Sequence, residues 1–242
     1  MTNDLISYSD FIGLTASYSY AIALLLFGEG LGRLFDVPPN LTRKVIHVGA
    51  GMWVFGILLL FNRWEIGIVP FASFIFINYL LYRYRIVSAM DTNDSSPGTV
   101  YFAISVTLLF GWLWRPSGPV DSVPIAVAGV MAMTWGDALA ALIGRRFGQH
   151  KYRVGNSVRS WEGSVAMFLV STTAIFLVLL LLPGSSLSPL AVAYGMNKAL
   201  LAAVVSGALA TLAEGISPHG TDNLSVPLVT ASVVWLFNYL YV

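Results

Sequence analysis

The chain has no cysteine among its 242 residues. This absence excludes disulfides, thiolate catalysis and zinc or iron sites with cysteine ligands. Charge is also scarce, because only 10% of the residues are Asp, Glu, Lys or Arg, whereas 57% are hydrophobic. Soluble domains carry about 25% charged residues. The sequence therefore predicts an all-α integral membrane protein, with a single transmembrane domain over residues 1–242.

Several familiar motifs are absent as well. The chain contains neither the Walker A pattern GxxxxGK[ST] nor the protein-kinase signature set. Its three histidines, His47, His150 and His219, lack HExxH or other metal-ligand spacing, which disfavours zinc. Residues 1–10 contain two aspartates but no Lys or Arg, so we expect no cleavable signal peptide.

Eight apolar segments approach the length of about 20 residues that a helix needs to cross a bilayer. The fourth is short, and it ends in Gly111, Trp112 and Trp114, which suit a membrane interface. Six or seven spans therefore remain alternatives to eight. The predicted segments are 11–32, 45–61, 65–82, 100–115, 122–144, 161–182, 198–216 and 224–241.

The orientation of the spans is predicted from Lys and Arg, which favour short loops on the cytoplasmic side. With the N-terminus outside, ten basic residues lie in inner loops and three lie outside. This asymmetry predicts an even number of spans and both termini outside. The inner residues are Arg33, Arg43, Lys44, Arg83, Arg85, Arg145, Arg146, Lys151, Arg153 and Arg159, and the outer ones are Arg63, Arg115 and Lys198.

Four acidic residues from separate segments are predicted to approach the inner face. An acid within a span is costly and usually faces the bundle interior, where it binds a cation or a substrate. Two of the four open helices, where capping and the helix dipole alone would favour them. For the other two, a functional role is the stronger interpretation. The first two are Glu162 and Asp222, and the other two are Asp137 and Glu214.

A basic loop separates Asp137 from Glu162, with five Lys or Arg residues and no acid. Glycine and serine are interleaved with these cations, so backbone N–H groups could also wrap phosphates. A topology anchor or a patch for anionic lipid is the ordinary alternative. The loop is therefore a candidate site for a polyanion, with a metal-bound nucleotide as the main candidate.

A second basic cluster opens the second span. Arg43 and His47 are four residues apart and share a helical face, with Lys44 beside them. Anchoring at the membrane surface is the ordinary role of such cations, and a histidine there is more often structural than catalytic. The usual pKa of His47 would suit proton transfer, although the sequence identifies no partner for it.

Four segments together resemble the polyprenol kinase family. They are RKVIH at 43–47, GDALAALIGRRFG at 136–148, SWEGS at 160–164 and DNLSVP at 222–227. The resemblance covers roughly residues 40–242. The family includes phytol, farnesol and dolichol kinases and is distantly similar to phosphatidate cytidylyltransferases. The similarity is greatest to phytol kinases of the cyanobacterial and plastid type.

The resemblance implies a lipid kinase that transfers the γ-phosphate of CTP to an isoprenoid alcohol, with phytol as the preferred candidate and Mg²⁺ as cofactor. Such a reaction would serve phytol salvage and the biosynthesis of tocopherol and other prenyl lipids. The nucleotide-binding and catalytic region would comprise mainly residues 135–167, together with 41–51 and 211–227. The reaction would take place at the cytoplasmic face, where the alcohol comes from the bilayer and CTP from water.

Phosphoryl transfer requires a metal on the phosphates, cations for the developing charge and an aligned hydroxyl group. As a hypothesis, Asp137 and Glu162 hold the Mg²⁺, and Glu214 or Asp222 orients or deprotonates the alcohol. The predicted nucleotide-binding residues are Lys44, Arg145, Arg146, Lys151, Arg159, Ser160 and Asn223, and the supporting residues are Arg43, His47, Gly136, Gly144 and Gly163.

Two other functions remain as alternatives. A CDP-lipid synthase similar to phosphatidate cytidylyltransferase would use the same nucleotide, but it would release pyrophosphate, whereas a kinase would release CDP. A small ion-coupled transporter is the alternative from another class. Transport predicts ionisable residues near the bilayer midplane in two related halves, whereas the acids here gather at one face. The expected partners are the bilayer, the alcohol and CTP, and not nucleic acid.

Overall fold

The computed structural model describes residues 7–86, 96–115, 121–154, 157–218 and 220–240. These residues form eight helices and one β-hairpin. Seven of the helices are long and apolar enough to cross a membrane, and the eighth is a shorter apolar helix. The predicted class, a nearly all-α helix bundle, is confirmed, and the seven long helices indicate a multi-pass membrane protein.

Each predicted span corresponds to one helix. The largest difference in bounds is at the second helix, which was expected from residue 45 but begins at Pro39. Proline suits the first helical turn because its ring presets the backbone angle. The residues that follow are polar, so hydropathy alone did not indicate that the helix begins here. The helices are α1 (Tyr8–Phe35), α2 (Pro39–Leu60), α3 (Trp64–Tyr84), α4 (Gly98–Leu113), α5 (Val123–Phe147), α6 (Trp161–Leu181), α7 (Met196–Ile216) and α8 (Asp222–Leu240).

Contacts between helix ends define one face of the bundle. The start of α1 contacts the end of α2, and the start of α3 contacts the end of α4. Likewise, the start of α5 contacts the segment after α6, and the start of α7 contacts the end of α8. Both the start of α1 and the end of α8 therefore lie on this face. The contacts are Asn62 N to Asp10 Oδ1 (3.1 Å), Arg115 over the Trp64 ring (3.8 Å), Ser188 Oγ to Asp121 Oδ2 (2.7 Å) and Tyr194 OH to Asn238 Oδ1 (3.1 Å).

Helix α5 is the central helix of the bundle. Every residue from Val123 to Met131 is buried. Small residues allow the close packing, since a Cβ on Gly129 would lie 2.6 Å from the carbonyl oxygen of Pro227 in α8. The helix widens into a π-helical turn over Ala132–Asp137. Such turns are rare and are frequent at functional sites, and this one ends at a predicted catalytic acid.

Only part of the predicted basic loop forms a β-hairpin, because Arg145 and Arg146 lie in the last turn of α5. Strands β1 (Lys151–Val154) and β2 (Ser157–Ser160) are antiparallel, with Tyr152 opposite Arg159. Tyr152 anchors the hairpin to α6, because its hydroxyl lies 2.7 Å from Ser164 Oγ and its ring lies 5.3 Å from that of Trp161. The hairpin thereby fixes the position from which Arg159 projects.

Candidate active site

A cavity of about 760 Å³ opens between α1, α2, α3 and α4 and reaches Asp137 in the interior of α5, the start of α8 and strand β2. Its volume lies within the range of about 300–1,000 Å³ that is typical of ligand sites. One end is polar, and the rest is lined mainly by aliphatic and aromatic side chains. The charged and polar residues of the first end include Arg43, Lys44, His47, Arg85, Asp137, Arg159, Asp222 and Asn223.

A buried ion pair connects α2 with α5 at this polar end. Lys44 Nζ contacts Asp137 Oδ2, and the two side chains are only 10% and 11% exposed. His47 Nε2 lies 3.9 Å from the same carboxylate oxygen and 3.5 Å from the carbonyl oxygen of Met133. Because an unpaired buried charge is strongly unfavourable, Lys44 stabilises Asp137 within the bundle.

A second ionic cluster surrounds Arg159. Its guanidinium contacts Glu214 at the end of α7, lies 3.7 Å from Asp222 Oδ2 at the start of α8, and donates to the carbonyl oxygen of Ser217 at 3.0 Å. Both carboxylates belong to buried residues. One arginine therefore ties the hairpin to two helices.

Asp222 is held in place by the residue that follows it. Its Oδ1 accepts hydrogen bonds from the backbone N–H of Asn223 at 2.9 Å and from Asn223 Nδ2 at 3.0 Å. Ser105 Oγ in α4 donates to the carbonyl oxygen of Asn223 at 2.9 Å. A Cβ on Gly98 would lie 2.9 Å from Asn223 Nδ2, so a larger residue there would require the Asn223 side chain to shift. The carboxylate thus has a defined position beside the cavity.

Comparison with known proteins identifies the family. The chain is 34% identical to the phytol kinase of Synechocystis sp. over 95% of its own length and 92% of that protein. The chain belongs to the phytol kinase family. This membership confirms the resemblance to polyprenol kinases.

Plant relatives give the same result. A probable phytol kinase 2, chloroplastic, from Glycine max is 30% identical over 85% of the chain and 70% of that protein. Phytol kinase 1, chloroplastic, from Arabidopsis thaliana is 25% identical over 90% of the chain. No protein-family profile matches the chain. No solved structure is similar to it.

In this member of the phytol kinase family, the cavity is lined by seven of the sixteen site residues expected from distant segments. The acids Asp137 and Asp222 line it together, and Glu214 lies behind Arg159 as its ion-pair partner. The two basic clusters predicted separately, one at the start of α2 and one in the hairpin, each supply cations to the same polar end. Those cations are Arg43, Lys44 and Arg159.

Other predicted residues lie outside the cavity lining. Glu162 accepts a hydrogen bond from the backbone N–H of His150 at 3.2 Å, and its carboxylate lies 2.8 Å from Nδ1 of the same histidine. Arg145, Arg146 and Lys151 are exposed to solvent, and none of them lines the cavity.

The predicted metal pair is therefore not brought together at the cavity. Among the described residues, no group of three or more His, Asp or Glu side chains is placed to hold a metal ion. The pairing of Asp137 with Glu162 on Mg²⁺ stays a prediction. His219 lies outside the described residues.

The remaining predicted residues bring α5 and α6 together. Ser160 Oγ accepts from the backbone N–H of Gly163 at 3.1 Å and so caps α6. A Cβ on Gly144 would lie 3.0 Å from Ser160 Oγ, and one on Gly163 would lie 3.0 Å from the carbonyl oxygen of Ala140. Gly136 makes a similar approach to Met167, where a Cβ would lie 2.7 Å from the sulfur. These glycines permit close helix packing.

The apolar lining of the cavity was missed by sequence reasoning. Apolar residues in a span have the same composition whether they face lipid, protein or a cavity, so hydropathy does not separate these environments. Polar and aromatic residues inside spans were the available signal. Tyr20, Trp53 and Asn78 are such residues, and all three line the cavity.

Proposed function

We propose that the protein is a membrane kinase that transfers the γ-phosphate of CTP to phytol or a closely related isoprenoid alcohol. The observation that supports this proposal is that one cavity has a charged end and an apolar end. Cations and carboxylates at one end suit phosphates and a reacting hydroxyl, and aliphatic and aromatic side chains further in suit a hydrocarbon tail. The curated relatives are named phytol kinase or probable phytol kinase, and CTP is proposed from the resemblance of the four segments.

The reaction would follow the general scheme of phosphoryl transfer. The alcohol oxygen forms a bond to the γ-phosphorus, the bond between that phosphorus and the bridging oxygen breaks, and CDP leaves. The hydroxyl proton passes to the carboxylate of Asp222, which lines the polar end of the cavity. Lys44 lies beside Asp137 and Arg159 lies beside Asp222, and both cations would neutralise the charge that develops on the phosphoryl oxygens.

The carboxylates of the cavity also suit a magnesium ion. Mg²⁺ prefers oxygen ligands and is commonly held by one or two carboxylates together with substrate phosphates and water. Asp137 lines the cavity, so it would hold the ion together with the phosphates and water, and the ion would shield the negative charge of the triphosphate when bound. Lys44 and Arg159 would then turn from the carboxylates towards the phosphates.

A labelling experiment tests the donor, the acceptor and the type of reaction together. Purified protein in lipid nanodiscs is incubated with γ-³²P-labelled CTP or ATP and with phytol, geranylgeraniol or farnesol. We expect label in a lipid phosphate and release of CDP. Release of pyrophosphate with an unlabelled lipid product would instead indicate a cytidylyltransferase. Absence of lipid product with every alcohol would contradict the proposed kinase.

A further inference from the structure

Among the described residues, four Lys or Arg side chains line the polar end of the cavity, and two of them already have carboxylate partners. Lys44 is paired with Asp137. Arg159 contacts Glu214 and lies 3.7 Å from Asp222 Oδ2. Separating a buried ion pair is strongly unfavourable, because it leaves a charge without a partner. These two cations are therefore the less available ones for an incoming anion.

The other two cations of the lining are Arg43 and Arg85. Neither has a carboxylate partner within the part of the chain that the structure describes. Arg43 is partly buried near the start of α2, and Arg85 is exposed directly after the end of α3. A guanidinium group can form paired hydrogen bonds with phosphate oxygens. Both residues could bind a phosphate without the loss of a buried ion pair.

One face of α3 follows the cavity as far as Arg85. The lining residues Asn78, Tyr82 and Arg85 recur at intervals of four and three residues, which is the spacing of one helical face. Arg83 lies between the last two in sequence, but it is exposed and does not line the cavity. The end of α3 therefore carries one arginine at the cavity and another away from it.

We propose that Arg85, together with Arg43, provides the first binding site for the phosphates of the nucleotide. This inference rests on the proposed function, since it assumes that the triphosphate of CTP binds at the polar end. The two guanidinium groups would hold the triphosphate while the ion pairs of Lys44 and Arg159 are still intact. An anionic lipid headgroup presents the same phosphate oxygens, so the two sources of phosphate need separate tests.

The first test compares the two arginines at the end of α3. For Arg85→Ala, we expect KM for CTP at saturating phytol to rise at least about tenfold, the scale of a lost hydrogen bond between charged groups, while KM for phytol changes little. Arg83→Ala is the matched control, because Arg83 lies in the last turn of the same helix but does not line the cavity. Equal KM values for CTP in the two variants would overturn the proposal.

Stability separates a binding role from a structural one. Arg43→Ala and Arg85→Ala remove no partner from a buried carboxylate, so Tm in detergent micelles should not fall. Lys44→Ala leaves Asp137 unpaired and should lower Tm. Arg85→Gly is a stricter variant, because the backbone of Arg85 is left-handed (φ 51°) and glycine adopts that conformation readily. Its Tm should be equal or higher while KM for CTP rises as in Arg85→Ala. A fall in Tm as large as that of Lys44→Ala would contradict the proposal.

Equilibrium binding of tritiated CTP, without any alcohol, gives a readout that does not depend on catalysis. In phosphatidylcholine nanodiscs, Kd should rise at least about tenfold in Arg85→Ala and in Arg43→Ala. If Kd is unchanged and Arg85→Ala loses activity only in nanodiscs that contain phosphatidylglycerol, Arg85 binds a lipid headgroup and the proposal is wrong. If CTP binding depends on Arg85 but no alcohol is phosphorylated, the proposed reaction fails and the phosphate site stands.

Discussion

At the scale of single residues, Asp137 makes the most direct prediction. It is a buried carboxylate paired with Lys44 beside the cavity. Asp137→Asn keeps the size of the side chain but removes its charge, so we expect kcat with γ-labelled CTP and phytol to fall at least about 100-fold, as for loss of an electrostatic group at a reaction centre. Asp10→Asn is the matched control, because Asp10 is also buried but caps α1 at the opposite face. Near-normal activity of the Asp137 variant would contradict its proposed role.

Arg159 makes a prediction about stability. Arg159→Ala would leave the carboxylates of Glu214 and Asp222 buried without their shared cation. We expect the free energy of unfolding to fall by about 3–5 kcal/mol, as for removal of one partner from a buried ion pair. Denaturant unfolding in detergent micelles measures this quantity.

Two further variants make the Arg159 prediction specific. Adding Glu214→Gln to Arg159→Ala should restore part of the lost stability, because one unpaired charge is removed. Arg153→Ala is the control, since Arg153 is exposed on the same hairpin. Equal unfolding free energies for Arg159→Ala and Arg153→Ala would contradict the structural role of Arg159.

The charged residues of the candidate site could be predicted from the sequence more readily than the apolar residues around them. Asp137 was predicted as a site residue because a charge within a span is costly and needs a reason, whereas the predictions for Lys44 and Asp222 rested mainly on the resemblance to the family. Glu162 was also predicted as an acid next to a span. In the structure it lies in the first turn of α6 and pairs with His150, outside the cavity lining. Trp53 carried little signal, because an aromatic residue in a span has many ordinary roles.

At the scale of secondary structure, the π-helical turn of α5 positions Asp137. Thr134 lies in this turn, and a Cβ on Gly51 of α2 would overlap its side chain. Threonine is stiff at χ1, so Gly51→Ala should displace the turn rather than rotate the side chain. We expect about a 100-fold loss in kcat/KM, the scale of a 1 Å misplacement of catalytic groups, measured with labelled CTP and phytol.

A pair of controls separates displacement of the turn from a general effect of alanine. Gly30→Ala should leave activity unchanged, because no atom lies within 4 Å of a Cβ at that position. Adding Thr134→Ala to Gly51→Ala should recover part of the activity, because it removes the two Thr134 atoms nearest the added Cβ, although the Cβ of residue 134 remains 2.8 Å from it. Failure of this double variant to recover would indicate that the turn does not connect Gly51 to Asp137.

The hairpin shows where sequence patterns were insufficient at this scale. Its strands are four residues each, shorter than the runs of alternating apolar and polar residues that identify strands. Tyr152, Val154 and Val158 favour extended structure, but the five cations of the segment dominated its interpretation as a loop. The long helices were predictable because each needs about 20 apolar residues to span a bilayer.

At the scale of the whole molecule, the eight helices place the ionic site and the described chain ends on opposite faces. The start of α1 and the end of α8 share the face defined by Asp10 with Asn62 and by Tyr194 with Asn238. Lys44 lies near the start of α2 and Glu214 near the end of α7, so their pairs with Asp137 and Arg159 lie towards the opposite face. This arrangement agrees with an even number of crossings, and the charge asymmetry of the loops predicts which face is cytoplasmic.

The absence of native cysteine makes that orientation directly measurable, because a single introduced thiol has no background. Arg153 is exposed on the hairpin, and Ser186 is exposed after the end of α6 on the opposite face. In intact spheroplasts of an expressing bacterium, a membrane-impermeant maleimide should label Ser186→Cys but not Arg153→Cys, and after permeabilisation it should label both. Labelling of Arg153→Cys alone in intact cells would reverse the orientation and place the ionic site outside, away from the nucleotides of the cytoplasm.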